Sequence, residues 1–138
     1  MRILILHGPN MNLFGVESSK VGQRLTLDKI NRYIRKYIRD KSIEIKIIQT
    51  HKEVKVVSYL HRNRNKFDGV IITPGVWCND AYILNESLNL FDLEYIIINK
   101  TKFNDDDIFH PLKHIYNENI LLSFEKALDY FINKTEDE

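Results

Sequence analysis

Short apolar segments rich in Ile and Val alternate along the chain with longer amphipathic stretches. Five such segments lie at residues 3–6, 43–48, 70–72, 95–98 and 120–122. Three of them are continuously apolar, which is typical of strands buried on both faces. The segment at 43–48 instead alternates with Glu44 and Lys46, which indicates a position nearer the edge of a sheet. The pattern therefore predicts five β-strands.

Apolar residues recur at helical spacing in four stretches outside these segments, which predicts four amphipathic helices. Thr26 is a predicted N-cap of the first helix, with Asp28 in its first turn, and Ser123 is a predicted cap of the last. The apolar positions are Leu27, Ile30, Ile34, Tyr37 and Ile38; Val56, Val57 and Leu60; Leu84, Leu88 and Phe91; and Phe124, Ala127, Leu128 and Phe131. Repeated strand–helix alternation indicates right-handed crossovers and a parallel sheet covered on both faces.

Five strands in 138 residues favour a flavodoxin-like, doubly wound α/β/α sandwich over a barrel, which needs about 250 residues. The length fits a single domain over residues 1–138. Ligands of open parallel sheets bind outside the carboxyl ends of the strands. The polar segments at 7–10, 49–53, 73–75 and 99–102 follow the predicted strands, so we expect the functional site there.

Composition narrows the expected partners. The chain has 20 Lys and Arg against 19 Asp and Glu, a formal charge of +1, so no broad field favours nucleic acid or an anionic membrane. The single cysteine, Cys78, excludes an internal disulfide framework and a CxxC zinc site. The segment Arg2–His7 is too short, and too soon followed by Gly8 and Pro9, for a signal peptide or a membrane span. We therefore expect a soluble, cytoplasmic domain.

The loop after the first strand, residues 8–15, is the first candidate site. Gly8 and Gly15 permit tight turns, and the amides of Asn10 and Asn12 supply donors and acceptors. The loop lacks the Lys and hydroxyl of a phosphate-binding loop. A ligand-binding loop and an Asn-stabilised turn both fit this pattern.

Four further features each have a functional and a structural interpretation. Glu53 can position a substrate, or it can complement a helix dipole. Cys78 can be a nucleophile near a helix N-terminus, or a small buried hydrophobe, which is the commoner case. His110 and His114 are spaced as a possible metal pair, but Pro111 separates them, so no metal site is predicted. The basic segment at 61–66 fits a solvated helix end better than a nucleic-acid patch.

The segment ILILHGPNMNLFG, residues 3–15, resembles the opening of the type II 3-dehydroquinate dehydratases, an apolar strand followed by Gly-Pro-Asn-Leu-Asn-Leu-Leu-Gly. The resemblance continues through residues 49–60, 68–88 and 95–109. It implies a flavodoxin-like fold and dehydration of 3-dehydroquinate, a cyclic polyol carboxylate, to 3-dehydroshikimate without metal or cofactor. It also implies a homo-oligomer, a dodecamer built from trimers.

In that family a lid tyrosine, activated by a lid arginine, removes a proton next to the ketone. An asparagine and a bound water stabilise the enolate, and a histidine protonates the departing hydroxyl. The resemblance places Asn10, Glu53 and Asn99 at catalytic positions. It places at substrate-binding positions Asn12, Thr73, Asn79, Glu86, Lys100, Thr101 and His110. Glu86 replaces an aspartate that reaches a neighbouring subunit's site, and Thr101 replaces a serine.

Several family residues are replaced. Glu17 lies near the expected lid arginine and Val21 near the lid tyrosine. The remaining replacements are Thr73 for the enolate-stabilising asparagine, Asn79 for a histidine, Asn99 for the general-acid histidine, and His110 for an arginine. Because acid and base groups are each worth about 10²–10⁴-fold in rate, these changes predict weak or altered dehydratase activity.

Two other hypotheses remain open at this stage. One is a non-catalytic homologue that binds a ligand or partner, and the other is a different enzyme built on Cys78 or His110. Tyr82 or Tyr95 are possible substitute bases, and Arg24 is a possible substitute for the lid arginine. Asp105, Asp106 and Asp107 add acid near the site, whereas Lys100 and Lys102 can compensate.

Overall fold

The computed structural model describes residues 1–102 and 107–136 of the chain. Its strands are β1 Arg2–His7, β2 Glu44–Gln49, β3 Gly69–Thr73, β4 Tyr95–Asn99 and β5 Lys113–Tyr116. Its helices are α1 Phe14–Ser19, α2 Leu27–Tyr37, α3 Glu53–Asn63, α4 Trp77–Asp80, α5 Tyr82–Leu90 and α6 Ile120–Glu136, with a 3₁₀ turn at Met11–Leu13. The strand order is β2-β1-β3-β4-β5 and every pair is parallel. This is the flavodoxin-like order, and it confirms the predicted fold class.

Alternating side chains of β1 supply both halves of the core. Ile3 and Ile5 pack with the buried faces of α2 and α6, whereas Leu4 and Leu6 pack with those of α3 and α5. These residues are fully buried. A three-layer α/β/α sandwich results, because each face of the central strand needs a helical cover.

The edge strands differ in how well the sequence predicts them. β2 is half-buried, as its alternating pattern predicted. The prediction of a strand at 120–122 is wrong, because those residues begin α6 and the fifth strand is β5. In β5 only His114 and Ile115 are even half-buried, so this strand has no apolar run to mark it.

One of the two predicted helix caps is confirmed and the other is wrong. Thr26 Oγ1 accepts a hydrogen bond from Lys29 N at 3.2 Å, which confirms the predicted cap of α2. The predicted cap Ser123 lies inside α6 and is buried. Asn119 takes that role instead, since its Oδ1 accepts from Leu121 N at 3.1 Å.

The loops after β1 and β3 touch at the carboxyl edge of the sheet. Gly8 N donates to Thr73 O at 2.9 Å, and a Cβ on Gly8 would lie 2.6 Å from Pro74 O. Gly75 has φ +57°, and a Cβ there would lie 2.9 Å from Pro9 O. Only glycine permits this close approach, which fixes the two polar loops against each other.

No helix within residues 1–102 and 107–136 is long and apolar enough to cross a membrane.

Candidate functional site

A cleft of about 190 Å³ opens at the carboxyl ends of β3 and β4. It is lined by Thr73, Pro74, Gly75, Cys78, Asn79, Ile98, Asn99, Lys100, Thr101, Lys102 and Asp107. Five of the predicted site residues, Thr73, Asn79, Asn99, Lys100 and Thr101, therefore come together here. A larger open groove of about 860 Å³ runs along β5 and α6, but it contains none of the predicted site residues. We take the cleft as the candidate site because it lies where open parallel sheets bind ligands.

Opposite charges meet at one side of the cleft. Lys100 Nζ lies 3.3 Å from both carboxylate oxygens of Glu17, which belongs to α1. Lys102 and Asp107 also line the cleft, and Asp107 Oδ1 accepts a hydrogen bond from Phe109 N at 2.7 Å. Glu17 therefore offsets part of the positive charge by which Lys100 was expected to compensate for the replaced arginines. Asp105 and Asp106, which were expected to add acid here, lie outside the described residues.

Asn99, which lines the cleft, contacts a histidine. Its side-chain nitrogen lies 3.3 Å from Nδ1 of His114, the second residue of β5. Burial lowers the pKa of His114; Asp107 opposes this shift, and the neighbouring His110 adds to it. The neutral imidazole that burial favours can accept a hydrogen bond from the Asn99 amide.

Thr73 continues into a buried chain of polar groups. Its Oγ1 lies 2.9 Å from Nδ1 of His7, and Nε2 of His7 lies 2.9 Å from Oδ1 of Asn31. Burial lowers the pKa of His7 to about 4, although the hydrogen bond with Asn31 partly opposes the shift. The His7 ring also packs edge-on against Phe124, with centroids 5.7 Å apart. The sequence placed His7 within the polar segment 7–10 at the expected site but assigned it no role, although a titratable residue at the end of an otherwise apolar strand was a signal for one.

Asn10 and Asn12 lie exposed on the neighbouring loop and do not line the cleft. Asn10 has φ 68°, a left-handed conformation, and its backbone N donates to His51 Nδ1 at 3.1 Å. The loop is therefore an ordered turn beside the site, and among the described residues no hydrogen bond joins its side-chain amides to the cleft lining, so their roles stay predictions.

Glu53, Glu86 and His110 are not brought to the cleft. Oε1 of Glu53 accepts hydrogen bonds from the backbone N of Ile83 and of Leu84, each at 3.0 Å, so this carboxylate caps the start of α5. Glu86 is exposed on α5. His110 is exposed in a separate depression, and its backbone N donates to the Tyr95 hydroxyl at 2.9 Å. The structure thus gives Oε1 of Glu53 a capping contact, and the catalytic role of Glu53 stays a prediction.

The substitute groups considered from the sequence are poorly suited to proton transfer. Burial raises the pKa of the Cys78 thiol, with Asp107 adding to the shift, so the thiolate is disfavoured. Burial also raises the pKa of Tyr95, which lies at the start of β4. Tyr82 and Val21 are 62% and 74% exposed, and neither lines the cleft. Arg24 is exposed too.

The sequence predicted no metal site at His110 and His114, and that stays a prediction. Across residues 1–102 and 107–136, no group of three or more His, Cys, Asp or Glu side chains is arranged to hold a metal ion.

Comparisons with known proteins give a consistent result. The family model described as "Dehydroquinase class II" matches residues 1–115. A 3-dehydroquinate dehydratase of Geotalea daltonii is 28% identical over 115 residues, which cover 83% of this chain and 80% of the relative. One of Pelotomaculum thermopropionicum is 31% identical over 96 residues, covering 70% and 67%.

Solved structures agree on the fold. The type II dehydroquinase from Butyrivibrio crossotus superposes with a TM-score of 0.83 at 21% identity, covering 94% of this chain and 96% of that one. A 3-dehydroquinate dehydratase-like protein from Bifidobacterium longum gives 0.67 at 14% identity, covering 95% and 98%. At such identities the likeness concerns the fold alone.

Proposed function

Because the chain belongs to the class II dehydroquinase family, we propose that its cleft binds a cyclic polyol carboxylate of the 3-dehydroquinate type and dehydrates it only weakly. The observation that carries this proposal is the character of the cleft lining. Hydroxyl and amide groups of Thr73, Asn79, Asn99 and Thr101 suit the ring hydroxyls of such a ligand. The ammonium of Lys100 suits its carboxylate.

The weakness of the reaction follows from the ionisable groups at hand. Among the described residues lining the cleft there is no tyrosine, histidine or arginine. Dehydration needs one group that removes a proton next to the ketone and another that protonates the departing hydroxyl. A raised pKa keeps Cys78 protonated, and the Asp107 carboxylate already accepts a hydrogen bond from the backbone N of Phe109. Each missing acid or base is worth about 10²–10⁴-fold in rate.

Binding of the carboxylate has to compete with Glu17. The Lys100–Glu17 pair is part-exposed, with 22% and 49% of the two side chains accessible, and pairs of this kind are worth about 1 kcal/mol or less. A ligand carboxylate can therefore displace Glu17 at small cost. Glu17→Gln should tighten binding of 3-dehydroquinate several-fold, whereas Glu118→Gln, an exposed change outside the cleft lining, should leave it unchanged.

The direct test is turnover of 3-dehydroquinate, followed by the absorbance of the enone product, together with the thermal shift that the compound produces. We expect a thermal shift and a rate far below the typical enzyme median of about 10 s⁻¹. A rate within about tenfold of that median would refute the weakness of the chemistry. The absence of both turnover and thermal shift would refute the ligand class.

A second candidate, ligand binding without any turnover, is favoured by the same absence of tyrosine, histidine and arginine among the described lining residues. The two candidates differ in a single measurement, since only the weak enzyme accumulates enone with time. Asn99→His, which places a titratable group at the end of β4, should raise the rate of a weak enzyme.

The proposal also includes a homo-oligomeric assembly built from trimers, up to a dodecamer, with no metal or cofactor and a cytoplasmic location. The exposed position of Glu86 on α5 supports the assembly, because a neighbouring subunit can reach it. Light scattering at micromolar concentration tests this part. A monomer would contradict it.

A further inference from the structure

A buried chain of hydrogen bonds runs from the cleft to α2. Thr73 lines the cleft, yet only 1% of its surface is exposed, and His7 is fully buried. The links are Thr73 Oγ1 to His7 Nδ1, and His7 Nε2 to Asn31 Oδ1, both at 2.9 Å. No step of the proposed reaction uses His7, so its two ring contacts need another explanation.

The donors and acceptors along this chain have one consistent direction. Asn31 Oδ1 can only accept a hydrogen bond, so Nε2 of His7 carries a proton and donates a hydrogen bond to it. The lowered pKa keeps the buried ring neutral, which leaves Nδ1 without a proton, as an acceptor. The proton of the Thr73 hydroxyl therefore points to His7. The other available acceptor, Leu6 O, is 3.4 Å away and makes at best a weak bond.

We propose that His7 is a positioning residue for ligand recognition: it holds the Thr73 proton away from the cleft, so that Thr73 Oγ1 accepts a hydrogen bond from a ligand hydroxyl. This inference rests on the proposed function, because it takes a polyol carboxylate as the ligand. A hydroxyl has one proton, so Thr73 cannot also donate to the cleft. A ketone or enolate oxygen, which can only accept, is disfavoured beside it.

The first test reads the proton positions directly. Nitrogen-15 NMR of the free protein, with His7 assigned by comparison with His7→Gln, distinguishes the two neutral tautomers of the ring. We expect Nε2 protonated and Nδ1 unprotonated at pH 7. A proton on Nδ1 would reverse the direction of the chain and overturn the inference while leaving the proposed function intact.

The second test compares two probes, quinate and 3-dehydroquinate, which differ in one hydroxyl that is a ketone in the latter. We expect the protein to bind quinate about tenfold more tightly, a loss typical of one mismatched hydrogen bond. Thr73→Val should remove this preference and Thr73→Ser should retain it. His7→Gln, which keeps an acceptor, should also retain it, whereas His7→Leu should free the Thr73 proton and shift the preference toward 3-dehydroquinate.

The outcomes separate the two proposals. If both probes bind equally well, or if Thr73→Val leaves the preference unchanged, the inference fails and the proposed ligand class stands. If neither probe binds, both fail. Should His7→Leu not fold, the tautomer measurement and the Thr73 pair still decide the inference.

Discussion

Acid should destabilise this protein through His7, because its ring must stay neutral in the folded state. The imidazole has a pKa near 6.5 in the unfolded chain and about 4 when folded, as a result of burial. The described contacts of the ring, Asn31, Thr73 and Phe124, are uncharged, and the hydrogen bond with Asn31 only partly offsets the cost of charging the buried ring. At about 1.36 kcal/mol per pKa unit, the difference corresponds to a loss of about 3 kcal/mol.

The sign and the pH window follow from the lowered pKa. Above pH 6.5 neither state binds the proton, so the full stability is present. Between pH 6.5 and 4 the unfolded chain binds a proton that the folded chain does not bind, so the free energy of unfolding decreases as the pH decreases. Below pH 4 both states are protonated, and His7 adds no further slope.

Urea denaturation at several pH values from 7 to 4, on the unaltered protein and on His7→Gln, measures this effect. The difference in unfolding free energy between the two should change by about 3 kcal/mol over that range, because subtraction removes the carboxylates common to both. His114, whose pKa burial also lowers, cancels in the same way. A difference that does not vary with pH would refute the reasoning. If the variant does not fold, an NMR titration that finds His7 charged at pH 5.5 would refute it equally.

Further changes test the contacts that build the fold, each by urea denaturation at pH 7. Glu53→Ala should cost about 1–2 kcal/mol, because it leaves two backbone N–H groups of α5 without their acceptor, whereas Asn89→Ala, an exposed change on α5, should stay within about 0.5 kcal/mol. Equal losses would contradict the capping role. Asn119→Ala should cost about 1 kcal/mol through loss of the cap of α6, and no change would contradict that assignment. Gly8→Ala should cost about 1–3 kcal/mol because its Cβ would meet Pro74 O, and Gly22→Ala, which has open space but φ +81°, should cost less; the reverse order would contradict the tight contact.

The fold was predictable where burial leaves a periodic trace. β1, β3 and β4 are buried on both faces, and their uninterrupted apolar runs indicate this directly. α2 has one buried face, so its apolar residues recur at helical spacing. β5 leaves no such trace, because an edge strand with two half-buried residues needs little apolar surface. The apolar residues at 120–122 pack as the first turn of α6, and a segment of three residues cannot distinguish a strand from a helix.

The sheet topology predicted where the candidate site lies, but not which contacts the longer side chains near it make. Thr73 and Asn99 end neighbouring strands, so the parallel order alone brings them to one edge. Glu53 also follows a strand, yet its long side chain reaches the backbone of α5, 30 residues away in sequence. Such a contact depends on how α3 and α5 pack together, which no local pattern encodes. His7 received no role for a related reason, because the sequence does not show which residues hydrogen-bond the two ring nitrogens of a histidine at a strand end.

Positive and negative charges nearly balance at the cleft, as they do over the whole chain. Charge can therefore contribute little to the choice among similar ligands. Lys100 meets Glu17, and Lys102 shares the lining with Asp107, so cations and anions offset each other where a carboxylate ligand would bind. A part-exposed ion pair contributes about 1 kcal/mol or less, which is too little to discriminate among similar acids. The direction of a buried hydrogen bond discriminates more strongly between ligands. A protein group that only accepts a hydrogen bond leaves a ligand oxygen that also only accepts without a partner. In this chain, therefore, we expect the orientation of the Thr73 hydroxyl to decide which polyol acid binds, with charge serving only to hold its carboxylate.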